Sequence, residues 1–153
     1  MLLLKVLVCT DGSNLSKKAV ERAAQIAGGC SADEVAVIHV YDHRQDLSSF
    51  AVDGNFSVED VENFKRMVEQ HQEERKKVLL EALKVFEDKN IKARAIFKIG
   101  HPAKTIINVA EEEGFDLVVI GSRGLSGLQK IFLGSVSGAV VQQIKNCDVL
   151  TVK

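Results

Sequence analysis

The sequence contains no tryptophan, one tyrosine, one proline and only three cysteines among its 153 residues. Cys9, Cys30 and Cys147 form no Cys-x-x-Cys pair and leave an odd count, which is atypical of a disulfide framework or a zinc centre. We therefore expect free thiols in a reducing compartment. Buried structural thiols are a better interpretation of them than redox groups.

An excess of charge of one sign is also absent, because 20 basic and 21 acidic residues leave a formal net charge of -1. No long-range field is available to gather nucleic acid or an anionic membrane, so any anion site must be local. No apolar run approaches the roughly 20 residues of a membrane-spanning helix. The opening MLLLK is too short an apolar stretch for an export signal. These absences predict a cytoplasmic protein, and its size suits a single domain over residues 1–153.

Short apolar segments alternate with helical patterns along the whole chain. The predicted strands are LLLKVLVC, VAVIHVY, ARAIFKI, DLVVIG and DVLTV. Between them, apolar residues recur at the spacing of a buried helical stripe, as in Ala103, Ile106, Ile107 and Ala110. This alternation predicts an α/β fold in which helices cover both faces of a parallel sheet.

The second crossover is unusually long, because residues 60–88 remain compatible with a helix of about 43 Å. Its second half is predicted to pack on the sheet and its first half to overhang. The inward face turns polar at His71, Gln72 and Arg75, which we interpret as solvated residues in preference to a metal site of His71 with Glu69 or Glu74. Residues 42–57 lack periodicity and are predicted to form a loop beyond the second strand.

A glycine-rich segment, GSRGLSGLQKIFLGS, joins the fourth strand to the last helix. Such connections usually take about two to six residues, so this longer one is typical of a functional loop. Glycines let several backbone amides approach one anion, and the following helix start favours phosphate. The candidate groups are the backbone at Gly121, Gly124, Gly127 and Gly134, the hydroxyls of Ser135 and Ser137, and a charge from Arg123 or Lys130.

Two alternatives bound this interpretation of the glycine-rich segment. No Gly-Lys-Ser/Thr ends a Walker loop, and no Gly-x-Gly-x-x-Gly follows the first strand, so an ordinary P-loop enzyme or dinucleotide dehydrogenase is disfavoured. The other alternative is a flexible connector that ends in a serine helix cap.

Asp11 follows the first strand in the sequence CTDGS. If the first and fourth strands are neighbours, Asp11 faces the glycine-rich segment across the crevice where the winding direction reverses. A carboxylate there would accept a hydrogen bond from an exocyclic amine or a ribose hydroxyl. The alternative is that Asp11 serves only as a turn or cap residue beside Gly12 and Ser13.

At these two places the sequence resembles the universal stress protein family, and the likeness extends over essentially the whole chain. KVLVCTDGS, VIHVYD and DLVVIGSRG resemble that family's first, second and fourth strands with their flanks. The most specific feature is Gly121-x2-Gly124-x9-Gly134-Ser135, which matches the pattern of the family's ATP-binding branch.

The resemblance implies a three-layer, Rossmann-like fold of the adenine nucleotide alpha-hydrolase type, with a five-stranded sheet of order 3-2-1-4-5. It implies a homodimer joined through the last strand, although Asp148 stands where relatives often carry proline. It also implies bound ATP, with Asp11 and the backbone near Val40 at the adenosine end. The residues implied along the ribose and phosphates are Gly121, Gly124, Gly134, Ser135, Val136 and Ser137.

No residue stands out as a catalytic base or a dedicated metal ligand. His39 is interpreted as a strand residue with a satisfied ring and His101 as a helix cap, and magnesium could join only through the phosphates. The leading hypothesis is a dimeric, ATP-binding regulator with little or slow hydrolysis. The alternatives are a nucleotide-independent dimeric interaction module and a slow ATPase or phosphotransferase.

Overall fold

The computed structural model of the protein describes residues 3–44, 57–123 and 133–153. Within them, five parallel strands form one sheet of order β3-β2-β1-β4-β5, which confirms the order that the family resemblance implied. The strands are β1 (Lys5–Cys9), β2 (Glu34–Tyr41), β3 (Arg94–Ile99), β4 (Leu117–Gly121) and β5 (Asp148–Val152). The helices are α1 (Asn14–Cys30), α2 (Val58–Glu87), α3 (Pro102–Glu112) and α4 (Ser135–Gln143).

Two hydrophobic cores lie on opposite faces of the sheet. Along β1, Val6 and Val8 belong to the core beneath α1 and α2, whereas Leu7 and Cys9 belong to the core beneath α3 and α4. This alternation follows from the two-residue period of a strand. It makes β1, the central strand, buried on both faces, as predicted from its continuous apolar sequence.

The long helix α2 behaves as two halves. Its fully buried residues, Leu79, Ala82 and Phe86, all lie in the second half, and no residue before Leu79 is fully buried. The predicted division into a packed half and an overhanging half is therefore confirmed. Within the described ranges, no helix combines the length and hydrophobicity needed to cross a membrane.

The three cysteines are free thiols in different surroundings. Cys9 is buried, and its burial raises the pKa of the thiol; burial likewise raises the pKa of Cys147 to about 11. Both thiols are protonated at neutral pH and are poor nucleophiles, as expected of structural cysteines. The expectation of burial is wrong for Cys30, which is exposed because it is the last residue of α1.

Candidate functional site

A cleft of about 1030 Å³ opens at the carboxyl edge of the sheet. The ends of β1, β2 and β4 form its floor, and the starts of α3 and α4 and the middle of α2 contribute to its walls. Because β1 pairs with β2 on one side and β4 on the other, the winding direction reverses at this point. Ligands of open parallel sheets bind at such a reversal.

The turn after β1 places Asp11 in this cleft. The Oδ1 atom of Asp11 accepts a hydrogen bond from the Ser13 backbone N–H at 2.9 Å. Gly12 has φ of +83°, a conformation that disfavours residues with a Cβ. Ser13 then caps α1, its hydroxyl accepting from the Ser16 N–H at 3.2 Å. Asp11 is thus both a turn residue and a cleft residue, which unites the two interpretations of the sequence.

On the opposite side, Ser122 fixes the chain where it leaves β4 and where it returns to α4. Its N–H donates to the Val152 carbonyl at 2.8 Å, and its own carbonyl accepts from the Gly134 N–H at 2.6 Å. The same carbonyl accepts from the Ser137 hydroxyl at 2.8 Å. Ser137 is only 2% exposed, and its hydroxyl donates its hydrogen to this internal bond. In this structure the hydroxyl is therefore not the phosphate donor that the sequence suggested.

Of the four helix starts that the structure describes, only the start of α4 has no side-chain cap. A side chain caps each of the others, from Ser13 in α1, Ser57 in α2 and His101 in α3. The N-cap of α4 is Gly134, which has no side chain to offer. The backbone N–H groups of the next residues therefore receive no partner from the described part of the chain. These residues are Ser135, Val136 and Ser137, and all three line the cleft.

Two of the glycines also lie in close contact with the backbone of neighbouring elements. A Cβ on Gly121 would lie 3.0 Å from the backbone carbon of Leu15, so glycine lets β4 end close against α1. A Cβ on Gly134 would lie 3.3 Å from the Cα of Arg123. The glycines therefore bring the elements of the site together as well as keeping its surface free of side chains.

The structure brings eight of the nine predicted site residues to this one cleft. Residues 124–132, which include Gly124, Gly127 and Lys130, lie outside the described residues. The eight that line the cleft are Asp11, Val40, Gly121, Arg123, Gly134, Ser135, Val136 and Ser137.

Sequence reasoning missed the wall formed by α2. His71 and Arg75, which were interpreted as solvated residues, line the cleft together with Glu74. The only signal was the polar interruption of the inward face, since the same helical face packs on the sheet one turn later. In the residues that the structure describes, no group of three or more potential ligands could hold a metal ion.

His101 also lines the cleft and caps α3, as predicted; its Nδ1 atom accepts from the Lys104 N–H at 3.3 Å. His39 is less completely satisfied than predicted. Its Nδ1 atom bonds the Thr10 carbonyl at 2.7 Å, but its buried Nε2 atom has no partner among the described residues.

Charges of both signs border the cleft. Asp42 and Arg44 form an ion pair at 2.7 Å, and the hydrogen bonds from Arg44 lower the pKa of Asp42. Arg75 makes no ion pair or hydrogen bond with any residue that the structure describes. Burial lowers the pKa of His39, and the nearby charge of Arg75 lowers it further. The cleft thus contains a neutral histidine, an arginine that pairs with no described residue, and a helix start without a side-chain cap.

This arrangement defines a class: doubly wound α/β proteins whose ligand cleft lies at the strand reversal, beside an open helix start. The chain belongs to the universal stress protein family, whose sequence profile matches residues 3–153. It is 34% identical over 153 residues to universal stress protein YxiE of Bacillus subtilis, covering 97% of this chain and 98% of that protein. It is 35% identical over 156 residues to universal stress protein MJ0577 of Methanocaldococcus jannaschii, covering 97% and 94%.

Solved structures give the same result. The structure of protein MJ0577 matches with a TM-score of 0.81 and 30% identity, covering 100% of this chain and 97% of that chain. A universal stress protein solved in complex with cAMP matches with a TM-score of 0.68 and 26% identity, covering 98% and 97%. At least one family relative of this fold thus holds an adenine nucleotide.

Proposed function

We propose that this protein is a cytoplasmic, ATP-binding regulator that acts as a homodimer and hydrolyses ATP slowly or not at all. The observation that carries the proposal is the start of α4, where uncapped N–H groups face a cleft at the strand reversal. Unpaired amides together with the positive end of the helix dipole favour a phosphate group.

Asp11 and the backbone of Val40 would hold the adenosine end of the nucleotide, across the cleft from α4. A carboxylate disfavours a phosphate neighbour but accepts hydrogen bonds from hydroxyl and amine groups. Arg75 and Arg123 line the same cleft and would offset the negative charge of the phosphates. Magnesium would join through the phosphate oxygens, as it commonly does with nucleotides.

We expect slow turnover because three cleft side chains that could activate water each already use one polar atom in a structural hydrogen bond. His39 is buried with Nδ1 bonded to Thr10, and His101 uses Nδ1 to cap α3. Asp11 accepts from the Ser13 N–H. A general base needs a free position within hydrogen-bond reach of the water that it activates. Binding without rapid hydrolysis would suit a protein whose state depends on nucleotide occupancy.

The test is the nucleotide content of the purified protein. Acid extraction followed by chromatography should release an adenine nucleotide, and added ATP should raise the melting temperature of the stripped protein. At a concentration of ATP 100-fold above Kd, the stabilisation would be about 2.7 kcal/mol. Adenosine serves as the matched control, because it lacks the groups that the α4 start would bind.

Three outcomes separate the candidate functions. Bound nucleotide with negligible ADP production supports the regulator. ADP production proportional to protein concentration would instead support a slow ATPase or phosphotransferase. Absence of nucleotide, together with no thermal shift by ATP, would support the nucleotide-independent interaction module.

The dimer would form along β5, the last strand of the sheet. Asp148 and Val152 make their ladder bonds to the β4 side, so the alternation of a parallel strand turns the N–H of Thr151 outward. That edge is a template for pairing with a second copy. Thr151→Pro should therefore convert dimer to monomer in light-scattering measurements, whereas Thr151→Val should remain dimeric. A monomeric wild type would contradict this part of the proposal.

A further inference from the structure

We propose that His39 is a positioning residue of the nucleotide site: its Nδ1–H holds the Thr10 carbonyl and thereby fixes the turn that presents Asp11 to the cleft. The inference rests on the proposed function, in which Asp11 contacts the adenosine end of ATP. It assigns a role to a buried polar side chain that neither the helix start nor the strand packing explains.

The geometry determines which ring nitrogen carries hydrogen. The Nδ1 atom of His39 lies 2.7 Å from the Thr10 carbonyl oxygen, which can only accept. Nδ1 must therefore be the protonated nitrogen, and in the neutral ring Nε2 is left with a lone pair. His39 is 4% exposed, and its ring centroid lies 6.0 Å from that of Phe97 on β3.

Thr10 is the last residue that the sheet holds before the chain turns away. Its N–H donates to the Ile38 carbonyl at 3.0 Å, which continues the β1–β2 ladder by one step. Its hydroxyl lies 3.2 Å from that of Ser16 and accepts from the Gly12 N–H at 3.4 Å. Among the described residues, the Thr10 carbonyl accepts only from the His39 ring, so His39 replaces the backbone donor that a longer strand would have supplied.

Asp11 follows Thr10 directly, so the orientation of the peptide between them determines the position from which the Asp11 side chain extends. The Ser13 N–H then orients the carboxylate from the other side, at 2.9 Å. A simple apolar filler at position 39 would occupy the same space but would leave a buried carbonyl unpaired. We expect that the Thr10 carbonyl would then rotate toward another donor, and that this rotation would shift the start of the turn that contains Asp11.

The surroundings keep the ring in the state that this role requires. Burial lowers the pKa of His39 and the charge of Arg75 lowers it further, while the Thr10 carbonyl and the Asp11 charge oppose this. The neutral ring retains its Nδ1–H, so the bond to Thr10 persists at physiological pH.

The test compares three substitutions of His39. Asparagine places an N–H group close to the position of Nδ1, glutamine places its amide further out near Nε2, and leucine fills space with no donor. We expect His39→Asn to bind ATP within about threefold of wild type, and His39→Gln and His39→Leu to bind about tenfold more weakly. Equal affinities for His39→Asn and His39→Leu would overturn the proposal, because the donor would then have no effect.

A second test measures ATP affinity when Asp11→Asn is combined with a substitution of His39. If His39 acts through Asp11, then adding His39→Gln to Asp11→Asn should cause little further loss of affinity, whereas independent sites would show additive losses. Full additivity would contradict the positioning role and would leave a general loss of packing as the explanation.

A measurement without ligand separates this inference from the proposed function. In nucleotide-free protein, amide hydrogen exchange at Ser13 reports the bond to Asp11. Protection should fall in His39→Gln and be retained in His39→Asn. If wild type binds no ATP, the proposed function fails, yet the exchange result still decides whether His39 positions the turn. Unchanged Ser13 protection in His39→Gln would overturn the inference even if ATP binds.

Discussion

Helices α1 and α4 begin at the same edge of the sheet, after the neighbouring strands β1 and β4, but their first turns differ in hydrogen bonding. The start of α1 is closed, because Ser13 caps it and Asp11 binds the Ser13 N–H. The start of α4 is open, because its N-cap is Gly134. Two helix ends with the same dipole direction therefore differ in whether they can bind a ligand.

The two helix starts also differ in what their N-cap residues contribute to stability. A serine cap typically contributes about 0.5–2 kcal/mol to stability. At α1 the cap contributes to folding, whereas at α4 the corresponding amides are left for water or a ligand. We therefore expect the start of α1 to contribute to folding stability and the start of α4 to contribute to ligand affinity. Changing the N-cap residue of each helix tests these two expectations.

The largest expected effect is at the open end. In Gly134→Ser, the extended N-cap backbone, with φ of -69° and ψ of 170°, would let the new hydroxyl accept from the first-turn amides and compete with phosphate. We expect ATP affinity to fall by at least about tenfold, with little change for adenosine, as measured by titration calorimetry. Gly134→Ala is the matched control, because it adds the same Cβ near Arg123 without the hydroxyl.

If Gly134→Ala weakens ATP binding as much as Gly134→Ser, the effect comes from steric crowding, and the capping comparison fails. If neither substitution changes ATP affinity, the open helix start is not the phosphate site.

The intermediate effect is at the closed end. Ser13→Ala removes the cap of α1 and leaves the buried Ser16 N–H without its acceptor. The free energy of unfolding should fall by about 1 kcal/mol in urea titrations, while ATP affinity should stay within about threefold of wild type. Ser135→Ala is the control, since Ser135 is exposed and its side chain makes no cap bond. A stability loss from Ser135→Ala as large as that from Ser13→Ala would invalidate the contrast.

The smallest expected effect is the pH dependence that His39 contributes at the closed end, where its ring holds the Thr10 carbonyl. Because the folded-state pKa of His39 is lowered, the unfolded chain binds its proton more readily. The stability contribution is fully present above the ordinary histidine pKa of about 6.5 and is lost as pH falls below it toward the lowered folded pKa. Unfolding measured between pH 7 and pH 5 should therefore show a steeper decline for wild type than for His39→Asn. Parallel declines would show that His39 titrates alike in both states.

The elements of the fold were predictable because their signals are local. The strands are continuous apolar segments, and the boundary of α2 differs by only two residues at its start, where Ser57 and Asp60 form a capping box. The strand order required the family resemblance. Contacts that depend on register were not predictable: His39 meets Thr10 only because Cys9 pairs with Ile38 in the sheet.

The candidate site was predictable where backbone chemistry defines it and less so where distant side chains enter it. Glycine spacing and a helix start identified the α4 side of the cleft. By contrast, Arg75 lines the cleft because α2 overhangs the sheet at a particular rotation, which tertiary packing alone determines. Similarly, the pattern could not show that the Ser137 hydroxyl is already bonded to Ser122.

Ser122 links the edge strand β5 to the start of α4 through its backbone. Its N–H binds β5 at Val152, and its carbonyl binds Gly134 at the start of α4. A shift of the edge strand, such as pairing with a second subunit could produce, would thus be transmitted through a single residue to the amides that face the cleft. Subunit assembly and ligand affinity would then be thermodynamically linked, each changing the other by the same factor.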